Sequence, residues 1–408
     1  MNDVIQSRID HAKYLLSTTD ISIVQVAEMC GYKSASHFMR QFKNKMKMTP
    51  SEYRKKMANH KMFLGKYLGE CKMKKFEGFM RGINLGGWLS QCAEYSEKHY
   101  SEFITESDIK TISEWGLDHV RLPIDYNVIE DEDGLPLENG YKHIDDCVEW
   151  CEQYGLDLIL DLHKTKGFAF DNKPEDNVMF DSPELQDRFI SLWINIASHY
   201  GKKRNIAFEL LNEIVENDSS RWNALASKTI SEIRRLTPET KIIVGGIQWN
   251  SVHTLAQLDV PKDSNIVYNF HFYEPFLFTH QLAPWQPLIA DKTISYPGNM
   301  EEYRRTSKEI GSFGSGLFGT DTMGAEFMEK LIAEAVEVAE NANVPLYCGE
   351  YGVIDRAEIR DTAIWFEDIH SVFEKYGIAR AAWTYKSIDF GICGEHYSQQ
   401  LNRILQSL

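Results

Sequence analysis

From residue 79 onward, short apolar runs of strand length alternate with longer stretches whose apolar residues recur at helical spacing. The runs Met80–Leu85, His119–Leu122, Leu156–Leu162, Ile206–Leu211, Lys241–Gly245, Ile266–Phe270, Pro345–Cys348 and Ala379–Trp383 read as buried strands. Between them Glu106–Trp115, Ile144–Tyr154, Pro183–Tyr200, Ser220–Leu236, Ala325–Glu340 and Ile359–Tyr376 read as helices. Val252–Leu258 is a weaker helical segment, and Ser398–Leu408 closes the chain. Eight strands alternating with helices predict an α/β fold, a (β/α)8 TIM barrel. A doubly wound sheet is the rival, but no GxGxxG follows the first strand.

Ahead of the barrel the pattern changes. Ile9 to Leu16 has helical spacing, with Ile9, Ala12, Leu15 and Leu16 near one face. Val24 to Cys30 is a short helix, Gly31 supplies a turn, and Ser34 or Ser36 can cap a second helix to about Met46. That second helix carries Arg40, Lys43 and Lys45, the arrangement of a helix-turn-helix that reads DNA. Charge divides the chain at the same place. Residues 1–75 hold 15 Lys and Arg against 6 Asp and Glu; the remainder holds 29 against 54. A basic head on an acidic body implies two modules with different partners, the body being repelled by nucleic acid and indifferent to a neutral polymer. The expected division is a small all-α helix-turn-helix at 1–59, a basic connector at 60–76 and the barrel at 77–408. The barrel carries an insert at 274–324, after its sixth strand.

No run of 18 apolar residues exists, which excludes a helical membrane span. The opening MNDVIQSRIDHAK lacks the apolar core of a secretory signal, so a cytoplasmic location is expected. Seven cysteines, without CxxC spacing, fit a reducing compartment and suggest no metal site.

The candidate chemistry lies where strands stop. Glu213 follows the run in IAFELLNEI and Glu350 ends the run in VPLYCGEYGV. In a parallel barrel both would reach the catalytic rim. A pair of carboxylates there suits glycosidic cleavage, one protonating the leaving oxygen while the other attacks or activates water. Arg121, His163, Asn212, His271, Tyr273 and Trp383 stand at other strand ends, a polar set that can position a sugar. Trp88, Phe168, Phe170 and Trp249 on rim loops, and Trp285 in the insert, are possible stacking platforms.

RGINLGGW, HVRLP, DLH, FELLNE, IVYNFHFY, YPG, LYCGE and AWTY, in this order, resemble glycoside hydrolase family 5, in particular cellulases of the endoglucanase C type. The likeness spans about residues 78–408. It implies a retaining endo-β-1,4-glucanase, free of metal and cofactor, acting on a β-glucan or cello-oligosaccharide. Glu213 would be its acid/base and Glu350 its nucleophile; Arg121, His163, Asn212, His271, Tyr273 and Trp383 would line the cleaved sugar's subsite. It also implies that the insert is a subdomain walling the cleft. One departure is DLHKTKG, where Lys164 and Lys166 add charge. A β-1,3-glucanase or mannanase of the same family is the alternative, as is a sugar-responsive regulator with a non-catalytic barrel.

At the other end, CGY, SxSHFxRxFK and MTPSEYR resemble the second helix-turn-helix of AraC-type regulators. The resemblance implies DNA contacts from Ser36, His37, Arg40 and Gln41. Only one such unit is present, so binding is expected to be weak.

Overall fold

The computed structural model of the 408-residue chain describes residues 8, 9, 12, 13, 16, 22–46, 48–55, 73–312 and 320–408. Leu15, residues 60–72 of the expected connector and residues 313–319 of the insert lie outside these. The chain divides into two compact units, residues up to 72 with 311–321, and residues 73–310 with 322–408.

In the first unit, α1 (Ile23–Met29) and α2 (Ala35–Met46) flank the turn at Gly31. The Ser34 hydroxyl accepts from the backbone N–H of His37 at 3.4 Å and so caps α2. Phe38 and Phe42, one turn apart on α2, are buried with Ile9, Ala12, Leu16, Val26, Ala27, Cys30 and Tyr32. The opposite side of α2 leaves Ser36, His37 and Arg40 exposed and Gln41 half-buried.

In the second unit eight parallel strands close into a barrel: β1 (Arg81–Asn84), β2 (His119–Asp125), β3 (Asp157–Lys164), β4 (Ile206–Glu209), β5 (Lys241–Gly245), β6 (Ile266–Phe272), β7 (Leu346–Tyr351) and β8 (Ala379–Ala382). Each pairs with its neighbour in sequence, and β8 closes on β1 through Arg81–Arg380, Gly82–Ala381 and Ile83–Ala382. The surrounding helices include α3 (Glu106–Glu114), α4 (Glu138–Tyr154), α5 (Pro183–Tyr200), α6 (Ser220–Leu236), α7 (Ala325–Ala342) and α8 (Ile359–Tyr376). The predicted helix Val252–Leu258 is a 3-10 segment, Val252–Gln257. There the Thr254 hydroxyl bonds the carbonyls of Ile247 and Ser251, competing with an α-helical ladder.

The floor of the barrel is aromatic. Phe76 and Phe79 stack at 4.5 Å and meet Tyr347 and His119 edge-on. They are buried with Ile159, Ala207, Ile243, Val267, Ala379 and Ala381. Gly82 is required beside them, because a Cβ there would lie 2.4 Å from the His119 ring. Phe76, assigned by pattern to the connector, therefore belongs to the barrel core.

Within the insert, Phe278, Tyr296 and Tyr303 are fully buried. Tyr296 donates its hydroxyl to Asp368 of α8 at 2.7 Å, and Tyr303 donates to the Ser295 carbonyl at 2.8 Å. These rings build the insert's own core against α8. Trp285 stays outside it, about half exposed.

Truncating Phe79 to Ala would leave a cavity that rigid strands cannot fill. The expected loss is about 3–5 kcal/mol, read as a lower denaturant midpoint with an unchanged slope.

Candidate active site

The strand ends at the C-terminal rim converge on one buried guanidinium. Arg121, in the middle of β2, is fully buried. Its Nε and Nη2 grip Glu209 at 2.7 and 2.9 Å, Nη2 also reaches Asp161 and Asn212 at 2.9 Å, and Nη1 reaches Asn84 at 2.8 Å and Glu350 at 2.9 Å. Burial works against its charge, but Asp161, Glu209 and Glu350 offset this and hold its pKa well above the ordinary arginine value. Asn269 donates to Glu209 at 2.8 Å and accepts from the Gly349 N–H at 2.8 Å, which ties β4, β6 and β7 into the same network.

Glu350 is 5% exposed. One of its oxygens accepts from Arg121 and the other from the Tyr273 hydroxyl at 3.0 Å. Glu213 stands across from it in a left-handed backbone conformation, φ 40°, uncommon for a side chain of this size. Between the two lies His271, whose Nδ1 is 2.9 Å from Glu213 and 3.6 Å from Glu350. A carboxylate oxygen of each glutamate and the His271 nitrogen all fall within 4.8 Å of one another. These three could ligate a cation only with Nδ1 bare, whereas two facing carboxyl groups call for a proton on it. His163 contacts Asp161 through Nδ1 at 2.6 Å, and its ring lies parallel to Trp383 at 5.7 Å.

Charge is scarce in this pocket. Burial pushes both glutamates up from the usual carboxylate range, Glu213 to about 7 against the pull of Arg121, with Asp171 and Glu209 adding to the rise. Glu350 is raised to about 7 as well, by burial, with His271 and Arg121 opposing the shift and Glu213 and Asp161 adding to it, so geometry decides where the proton lies. Only Glu350 has a guanidinium and a phenol hydroxyl in direct contact, so the proton retained by the pair sits on Glu213. Burial also depresses His163 to about 3 and His271 to about 4, and both rings are neutral.

All eight polar or aromatic residues picked from strand ends thus gather at one place. The aromatic candidates divide. Trp249 and Trp285 are about half exposed, Trp249 beside Glu213 through a bond from its backbone N–H to the Ile214 carbonyl at 3.1 Å. Trp88 and Phe168 are no platforms, because packing removes them from the surface. Trp88 lies under the rim, stacked on Trp150 with its indole N–H on the Tyr100 carbonyl at 2.8 Å, and Phe168 packs on Phe180. Sequence reasoning missed Glu209, Asp161, Asn84 and Asn250. The available signal was a charged or amide residue inside an apolar run, as in IAFELL, DLILDL and RGIN.

Comparison with known proteins agrees with this geometry. Residues 80–389 match the cellulase profile of glycosyl hydrolase family 5, and residues 4–56 match a helix-turn-helix domain profile. The barrel is similar to cellodextrinase A of Ruminococcus flavefaciens, 44% identical over 76% of this chain and 86% of that protein. It is also similar to endoglucanase C of Acetivibrio thermocellus, 41% identical over 80% of this chain and 98% of the other. Among solved structures, the cellulose synthase subunit Z of Clostridioides difficile superposes with a TM-score of 0.66 at 26% identity, over 81% of this chain and 99% of that one. With the catalytic rim and the sequence likeness in agreement over the whole barrel, the chain belongs to glycosyl hydrolase family 5 and carries a helix-turn-helix at its N-terminal end.

Proposed function

We propose that the barrel is a retaining endo-β-1,4-glucanase that hydrolyses soluble or mixed-linkage β-glucans and cello-oligosaccharides. The observation that carries this reading is the approach of Glu213 and Glu350, with carboxylate oxygens within 4.8 Å. Retaining enzymes need a separation of about 5–5.5 Å between the two groups, whereas inverting ones leave room for a water at about 6.5–9.5 Å. An oxygen of Glu350 bonds to the anomeric carbon while the glycosidic bond breaks, and Glu213 gives its proton to the departing oxygen. Water then replaces Glu350 on that carbon and yields its proton to Glu213. Arg121 and Tyr273 hold the negative charge of Glu350 before attack and as it is released. Asn212, oriented by Arg121, is placed for the sugar's 2-hydroxyl, and Trp383 backed by His163 offers a flat face to the ring. Trp249 and Trp285 supply stacking surface further along the cleft. A purely binding barrel, or a β-1,3-glucanase or mannanase, is less favoured by the likeness to cellodextrinase A and endoglucanase C.

The helix-turn-helix unit would contact DNA through Ser36, His37, Arg40 and Gln41, weakly because a single unit reaches few phosphates. Among the described residues no helix is long and apolar enough to cross a membrane. Among the described residues six cysteines, Cys30, Cys92, Cys147, Cys151, Cys348 and Cys393, are free, which supports work in a reducing, cytoplasmic compartment.

These assignments have measurable outcomes. Carboxymethylcellulose and lichenan release reducing sugar faster than laminarin or glucomannan, and proton NMR of the first product shows the β-anomer; an α-anomer would exclude the double displacement. Glu350→Gln lowers kcat by roughly 10³-fold or more. In the parent enzyme the two carboxyls, each pushed to about 7, titrate as a pair: kcat/KM falls at higher pH as Glu213 loses its proton and falls on the acid side as Glu350, held ionised longer by Arg121 and Tyr273, gains one. Glu213→Gln removes the upper limb alone. In gel shifts with random duplex DNA, affinity drops with salt at a slope of about −0.9 per phosphate contacted, and Arg40→Ala weakens binding.

A further inference from the structure

The ring of His271 is held at both ends. Nδ1 faces Glu213 and Glu350, and Nε2 is 3.2 Å from the side-chain amide nitrogen of Asn250, a group that can only donate. Asn250 is fully buried and belongs to a run of three left-handed residues, Gln248 (φ 52°), Trp249 (φ 56°) and Asn250 (φ 52°). Such a run costs backbone energy, and asparagine is among the side chains that tolerate it best. The turn is fastened to the chain just after Glu213, by the Trp249 N–H on the Ile214 carbonyl and by the bridge between Ile214 and Ile247. Close packing completes it, since a Cβ on Gly245 would lie 2.3 Å from the side-chain amide oxygen of Asn250. That oxygen is buried without a hydrogen-bond partner among the described residues, so that the amide's one polar contact there is its nitrogen on His271. A strained turn is thus maintained in order to aim one amide at one imidazole nitrogen.

We propose that Asn250 is a positioning residue that holds His271 in its Nδ1–H tautomer, and so keeps the exchangeable proton of Glu213 on Oε2, the oxygen His271 does not engage. With Nδ1 protonated, the ring donates to Glu213 Oε1, and that oxygen cannot also present the acid's proton to the ring. In the other tautomer the bare Nδ1 draws the proton of Glu213 onto Oε1, where it is hydrogen-bonded to the histidine and withheld from the leaving oxygen. Arg121, Glu209, Glu350 and His163 also bear on His271, but none of them reaches Nε2 in place of Asn250.

The proposal rests on Glu213 being the acid, and leaving-group dependence separates the two claims. Phenyl β-cellobioside needs acid assistance to lose its phenol, whereas 2,4-dinitrophenyl β-cellobioside does not. Asn250→Asp is isosteric, tolerates the same backbone, and turns the donor into an acceptor for an Nε2 proton. It lowers kcat/KM on the phenyl glycoside by about tenfold to a hundredfold, part of the 10²–10⁴ that a general acid supplies, and changes the dinitrophenyl value by no more than about twofold. Asn250→Ala shifts the same ratio in the same direction by less. Equal losses on both substrates, or no selective loss on the phenyl glycoside, overturn the role of Asn250. Glu213→Ala, measured alongside, loses phenyl hydrolysis selectively; if it does not, the assignment of Glu213 is what fails.

Discussion

A single guanidinium holds the catalytic end of this barrel together. Arg121 lies out of reach of water and in contact with Asp161, Glu209 and Glu350, with Asn84 and Asn212 completing its hydrogen bonds. Removing one partner of a buried ion pair costs about 3–5 kcal/mol, and here one cation serves three carboxyl groups drawn from three other strands. Because Glu213 adds a fourth acid nearby, the pocket cannot accommodate every carboxylate in its charged form. The excess must be met by retained protons, which is the condition acid catalysis needs.

Much of this was legible in the residues. Glu213 and Glu350 stood out because a charge terminates an apolar run, and in a parallel barrel the end of a run is the rim. The alternation of strands and helices foretold the closed sheet for the same reason, since strands buried on both faces leave long apolar signatures. Glu209 and Asp161 were hidden by the mirror image of that rule. They lie inside apolar runs, and only the position of Arg121 in space shows what neutralises them. Trp88 and Phe168 were misjudged because burial of an aromatic depends on what packs over it, which sequence spacing does not contain. Helix α4 begins at Glu138, ahead of the predicted Ile144, and its first turn brings Gly140 tightly against the Val128 backbone, a tertiary contact without local signature.

The division of labour follows rigidity. The buried polar side chains around Glu213 and Glu350 come from strands or their immediate ends, where the arginine network locks Glu350 and Asn212. The more exposed aromatics, Trp249 and Trp285, come from a strained turn and from an insert whose Phe278, Tyr296 and Tyr303 rings are consumed in its own packing.

The two imidazoles have a consequence of their own. With His163 at about 3 and His271 at about 4, neither gains a proton anywhere near neutrality. Arg121, for its part, never gives one up. Every titration in the cavity is thus an oxygen-acid event, and the positive pole seen by an approaching glycoside has constant magnitude. Acidification of the surroundings would silence such an enzyme by loading its carboxylates, without any histidine switch reversing the local potential.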